Sequence, residues 1–169
     1  MTIKIFVTKY RQTILMGLSL ILVLAFFLPW IINNPELETF AYSEMKMSGF
    51  RLFTGYHEIM PTLYQLMASL EMNVANKLLY LGYLLIVFPI LGISSIVLSG
   101  IRHKKAFLVH QIHFIVSFSL LFLTFLMMIV FGELRTLFFT IFGFGIGYYL
   151  SMIVSGLGIA SIVIMNAKK

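Results

Sequence analysis

Apolar runs at residues 13–32, 78–99, 106–131 and 141–165 divide this 169-residue chain. Each is long enough for a helix that crosses a bilayer, which takes about 20 residues. The pattern predicts an all-α integral membrane protein: a single domain built as a four-helix transmembrane bundle. Only residues 33–77 form a long interval too polar for lipid, and that interval holds five of the six acidic residues.

The interval changes period along its length. From Phe40 to Tyr56 the text reads as extended, with Met45 and Met47 alternating against Glu44, Lys46 and Ser48, the period of a strand covered on one face. Gly49 interrupts the alternation and Phe50 to Phe53 resume it, so a short hairpin or bulged strand pair is expected. From Pro61 to Asn76 the period turns helical, with Leu63, Leu66, Met67, Leu70 and Val74 on one side. That stretch is expected to be an amphipathic helix leading into the second span.

The spans carry their own punctuation. The first ends in Leu28-Pro29-Trp30, with Trp30 placed as an interface anchor and Pro29 disfavouring helix at Leu28. A retained helix is expected here rather than a cleaved signal. Pro89 predicts a kink in the second span. In the fourth, Gly143, Gly147, Ser151 and Ser155 recur every four residues, a helix-packing stripe of small residues. Residues 132–140 are expected to be a turn.

Composition agrees: 60% of residues are apolar, 11% are charged and the mean hydropathy is +1.01. The charges are sorted by loop. Eight basic residues (Lys4, Lys9, Arg11, Arg102, Lys104, Lys105, Lys168 and Lys169) flank the spans on one side. Lys46, Arg51, Lys77, Arg135 and every acid lie on the other. This is the positive-inside distribution, which predicts cytoplasmic termini and a multi-pass protein of the cell membrane. It also accounts for the net charge of +6 without nucleic acid. The absence of cysteine excludes disulfides and thiolate chemistry. The Ile-, Met-, Phe- and Lys-rich text has a bacterial cast, which would make the membrane a bacterial inner membrane.

Candidate chemistry is sparse. His103, His110 and His113 fall within about 60° of one another on a helix, and ionisable groups inside a membrane are functional candidates. His110 and His113 are therefore possible contacts to a haem or quinone, with packed neutral histidines as the plain alternative. A bis-histidine haem would need a second helix to supply its partner ligand, and no cofactor or metal is assigned. No span carries a carboxylate and no catalytic motif is present, so an enzyme is not expected. A non-enzymatic accessory or assembly subunit is expected instead, bound to other membrane subunits or to itself through its loop. Trp30, Phe50, Phe53 and Tyr56 are its expected contact residues. A small oligomeric channel using hydroxyls such as Ser95, Ser117, Ser119 and Thr124 is the third reading.

Leu28-Pro29-Trp30 and Ser48-Gly49-Phe50, with four spans and a first loop of about 45 residues, give an outline that resembles the claudin and peripheral myelin protein superfamily. Trp30, Gly49 and Phe50 look like the family's Trp and the Gly-Leu of its Gly-Leu-Trp motif. Arg51 stands where the second Trp would be, the two loop cysteines are absent, and the second outer loop is short. The resemblance implies a left-handed four-helix bundle with a small outer sheet, and the departures from the motif argue against a junction or paracellular role.

Overall fold

Pro29 stops the first helix earlier than hydropathy alone predicts. Helix α1, Arg11–Phe27, gives way at Leu28, whose φ of −79° and ψ of 159° are extended, as expected before a proline. Pro29–Asn33 then forms strand β1 in place of the last helical turn expected through residue 32. The β-branched Ile31 and Ile32 suit the pleat. The computed structural model describes residues 10–33, 46–55, 57, 58, 61, 64, 65, 68 and 79–166.

Strand β2 is Lys46–Ser48, at the position the alternation marks. The expected continuation of that strand through Phe53 is a helix instead: α2, Gly49–Thr54. Ser48 caps it, its hydroxyl accepting from the Arg51 amide at 3.1 Å, a typical N-cap bond. The local cap outweighs the β propensity of the Phe-rich text. Most of the expected 61–76 helix lies outside the described residues; residues 61, 64, 65 and 68 are helical.

The second span opens as a 3-10 segment, Leu79–Ile86, and becomes α-helical in α3, Val87–Gly100. Pro89 offers no amide to the carbonyl four residues back, which favours the tighter winding before it. Helix α4, Ala106–Val130, matches the third span to within a residue. Residues 132–140, expected as a turn, form most of helix α5, Gly132–Ile141. The chain then enters strand β3, Phe142–Phe144, and helix α6, Ile146–Asn166. Gly143 therefore lies on a strand and not on the helix-packing stripe where periodicity places it.

The three strands form one antiparallel sheet in the order β2-β1-β3. β1 pairs Ile32 with Lys46 on one side and with Gly143 on the other, and a bulge separates Pro29 from Ile31. Residues expected to end one helix and begin another thus build the centre and one edge of the sheet. A strand pairing with two neighbours satisfies amides that an isolated extended segment would leave open.

Helices α1, α3, α4 and α6 pack in a closed ring in the order α1-α3-α4-α6. Their interior holds Leu15, Leu22, Phe26, Phe88, Phe114 and Leu121 together with buried serines. The outward faces carry Leu24, Ile93, Ile115, Ile153 and Val163, all more than half exposed. Large apolar residues on the outward faces, with the buried serines and histidines inside, depart from the arrangement of a water-soluble domain. Segments Gly82–Gly100, Ala106–Val130 and Ile146–Asn166 are long and apolar enough to cross a membrane; α1 is apolar but shorter.

Candidate functional site

A continuous polar centre runs through three of the four packed helices. Ser19 on α1 sits in a span of otherwise apolar neighbours, and the ring turns it toward α3 and α4. Its Oγ lies 2.8 Å from His110 Nδ1 and 3.3 Å from His113 Nδ1. The Ser95 hydroxyl reaches Ser19 Oγ at 3.2 Å and the Gly92 carbonyl at 2.8 Å. Ser99, one turn beyond Ser95, places Oγ 2.8 Å from His110 Nε2. The Gln12 amide donates to the Ser99 carbonyl at 2.6 Å.

Proton counting limits how these groups are arranged. A neutral imidazole carries one N–H, and a hydroxyl has one proton and two lone pairs. The single Ser19 proton serves one of the two Nδ1 atoms, so the other Nδ1 must be the donor. Assigning that proton to the shorter His110 contact makes His113 an Nδ1 donor and leaves its Nε2 bare. His113 Nε2 is buried with no hydrogen-bond partner. The nitrogen is therefore a localised polar debt of the fold. Gly92 makes room for the ring: a Cβ there would come within 3.0 Å of His113 Cε1.

The two histidines are buried at the centre of this network. His110 is 1% exposed with both nitrogens engaged by serines, and His113 is fully buried. Both belong to one helix, and His110 also borders the pocket at the end of the bundle away from the sheet. His103 lies outside the helix, in the exposed turn before α4, where its Nδ1 accepts from the Lys105 amide at 3.2 Å. Among the described residues no group of three acidic, histidine or cysteine side chains could hold a metal ion.

No family model matches the chain, nor does any curated protein or solved structure.

At the sheet end the expected contact residues separate. Trp30 is 3% exposed, which removes it from any contact surface. Its indole donates to the Ala25 carbonyl at 2.9 Å and meets Phe26, Phe88 and Tyr148 edge-on, with centroids 5.8, 5.2 and 6.3 Å away. Tyr148 in turn donates to the Leu121 carbonyl at 2.8 Å and stacks on Phe144 with centroids 4.0 Å apart. Trp30 is therefore the fastening between sheet and helices. Phe53 is half-buried against the core. Phe50 is 47% exposed and lies 5.6 Å from the Phe27 ring, itself exposed. Tyr56 lies outside the described residues.

The small-residue stripe faces inward. Gly147, Ser151 and Ser155 are buried, and the two serines donate to carbonyls four residues back, both at 2.7 Å. Their hydroxyls are satisfied within α6, so the stripe offers close approach rather than polar attachment. What periodicity does not single out is the role of Ser19 and Gln12, although a lone serine inside a leucine-rich span is the signal for the first.

Proposed function

We propose that the protein is a non-enzymatic membrane subunit that spans the bilayer with α1, α3, α4 and α6. Both termini are cytoplasmic, and the sheet end is presented outside to another membrane protein. The outward apolar faces and the basic flanks support the placement. The observation that carries the function is the fastening of the sheet to the helices through Trp30, with the Phe27–Phe50 pair left exposed at its rim. A platform tied to four helices holds an aromatic pair in fixed geometry, which lowers the entropic cost of docking a partner. Exposed aromatic clusters are the usual anchors of such contacts. The outline shared with the claudin and peripheral myelin protein superfamily adds a fold-level analogy and nothing about activity.

The test is gentle-detergent purification from the native membrane, with mass and visible absorbance recorded on one peak. A heavier colourless peak containing a second polypeptide, lost in Phe50→Ser while the protein stays folded in the membrane, is the expected result. A colourless monomer, or a complex unchanged by Phe50→Ser, rules the reading out.

A further inference from the structure

At the end of the bundle opposite the sheet, a pocket of about 410 Å³ opens between the start of α1, the end of α3 and the start of α4. Its wall carries Arg11, Arg102 and Lys104, and its floor reaches Gln12, Ser99 and His110. Among the described residues no acidic side chain lines it. Arg102 and Lys104 have no ion-pair partner among the described residues. Arg11 is held against the wall, its guanidinium carbon 3.5 Å from the Phe107 ring centroid.

Converging like charges raise the energy of an empty pocket and favour an anion within it. The backbone adds a second, independent observation. Helix α3 closes in a Schellman turn, with the His103 amide donating to Leu98 at 2.8 Å and the Arg102 amide to Ser99 at 3.0 Å. Arg102 takes the left-handed position of that turn, with φ of 53°, the sole non-glycine with positive φ among the described residues. Glycine is the residue this position favours, and a side chain there costs about 1 kcal/mol. Retained strain of this kind points to a use for the side chain. Arg102 lines the pocket.

We infer that this pocket binds the phosphate of an anionic phospholipid headgroup. Arginine matches phosphate through paired N–H donors and lysine supplies a point charge. The apolar flank decides for lipid over a soluble phosphate: Ile101 and Leu108 border the pocket residues with 67% and 53% of their surface exposed, where acyl chains would run. The inference rests on the membrane placement of the helices and not on a partner at the sheet end.

The test uses full-length protein in micelles, with binding read by native mass spectrometry and thermal unfolding. Probes are a phosphatidylglycerol, a phosphatidylcholine of the same chains, and inorganic phosphate. Phosphatidylglycerol should be retained over phosphatidylcholine, and Arg102→Gly with Lys104→Gln should weaken it about fivefold for each lost charge. Lipid-free Arg102→Gly should unfold no earlier than the parent, because glycine relieves the turn. A control with the same charge change at the sheet end, Arg51→Gln with Arg135→Gln, should keep the preference. Equal retention of the two lipids, or a preference lost equally in the control, overturns the site. Inorganic phosphate protecting the protein as well as phosphatidylglycerol at equal concentration overturns the assignment to lipid.

Discussion

Gly147 lies directly against Trp30: a Cβ built on Gly147 would be 2.6 Å from Trp30 Cδ1 and 2.8 Å from the Leu28 carbonyl oxygen. Two turns of chain that are 117 residues apart in sequence therefore meet backbone to ring, and the first turn of α6 is seated on the exit of α1. The contact fixes where the sheet sits, because β1 begins at Pro29 and β3 ends at Phe144, on either side of it.

Gly147→Ala should therefore be among the most damaging single-methyl changes in the chain. Neither a backbone carbonyl nor a fully packed indole can yield as a flexible side chain can, and overpacking of this kind costs about 1–3 kcal/mol. Gly156→Ala is the comparison, since the nearest atom to its new Cβ is Phe118 Cε2 at 3.6 Å. There the gain in helix propensity, up to about 1 kcal/mol, should make the change neutral or stabilising. Unfolding in mixed micelles reads both, and equal effects would remove the special role given to the Trp30 contact.

Ser19→Ala should cost about 1–3 kcal/mol, although it removes a single oxygen. His110 Nδ1, His113 Nδ1 and Ser95 Oγ all lie within hydrogen-bond distance of that atom, and burial leaves them no water to turn to. Ser119→Ala, on the exposed face of α4, should change stability by less than about 0.5 kcal/mol. Matched unfolding curves for the two variants would mean that the polar centre contributes nothing to stability.

Hydropathy places the helices well because lipid-length apolar runs have few alternatives. It fails at their ends, where Pro29 and the glycines at 143 and 145 let strands replace helical turns, since β1 pairs with β3 across more than 100 residues of sequence. Ser48 was legible only as part of an alternation, yet its hydroxyl makes α2. The shared face of His110 and His113 follows from their spacing, but its inward direction and their partners do not. Ser19 lies 91 residues away from His110, and only the packing of α1 against α4 shows that a lone serine faces a histidine pair. Trp30 reads from sequence as an interface anchor because aromatic residues favour that level; the β1 bulge beside it turns the ring inward instead.

Phe50→Ser and Phe53→Ser, equivalent in sequence, should part in stability. Phe50 is half exposed beside Phe27 and Phe53 packs against the core. Burial of an aromatic ring contributes about 1.5–3 kcal/mol, so Phe53→Ser should destabilise by roughly that amount and Phe50→Ser by much less. Loss of a partner in Phe50→Ser then reports the surface, whereas loss in Phe53→Ser reports a damaged platform. Thermal unfolding of the two purified variants checks the difference, and a Phe50→Ser protein as unstable as Phe53→Ser would disqualify Phe50 as a surface residue.

Gly92 and His113 should be coupled energetically. A Cβ at position 92 would run into Val23 Cγ2 and approach His113 Cε1 to 3.0 Å and Nε2 to 3.3 Å, so Gly92→Ala should displace the imidazole and disturb its contact with Ser19. Part of its cost is then the loss of the His113 contact and part is the clash with Val23. In a His113→Ala background the first part has already gone, and the vacated ring volume lets α3 and α4 adjust. The two changes made together should therefore cost less than their sum by about 1 kcal/mol, within the range for residues in direct contact. Val23→Ala should relieve the remainder. A double-mutant cycle measured by unfolding decides it: additive effects would mean that the ring of His113 does not depend on the absence of a side chain at Gly92, and that its unpaired nitrogen is not held in place by α3.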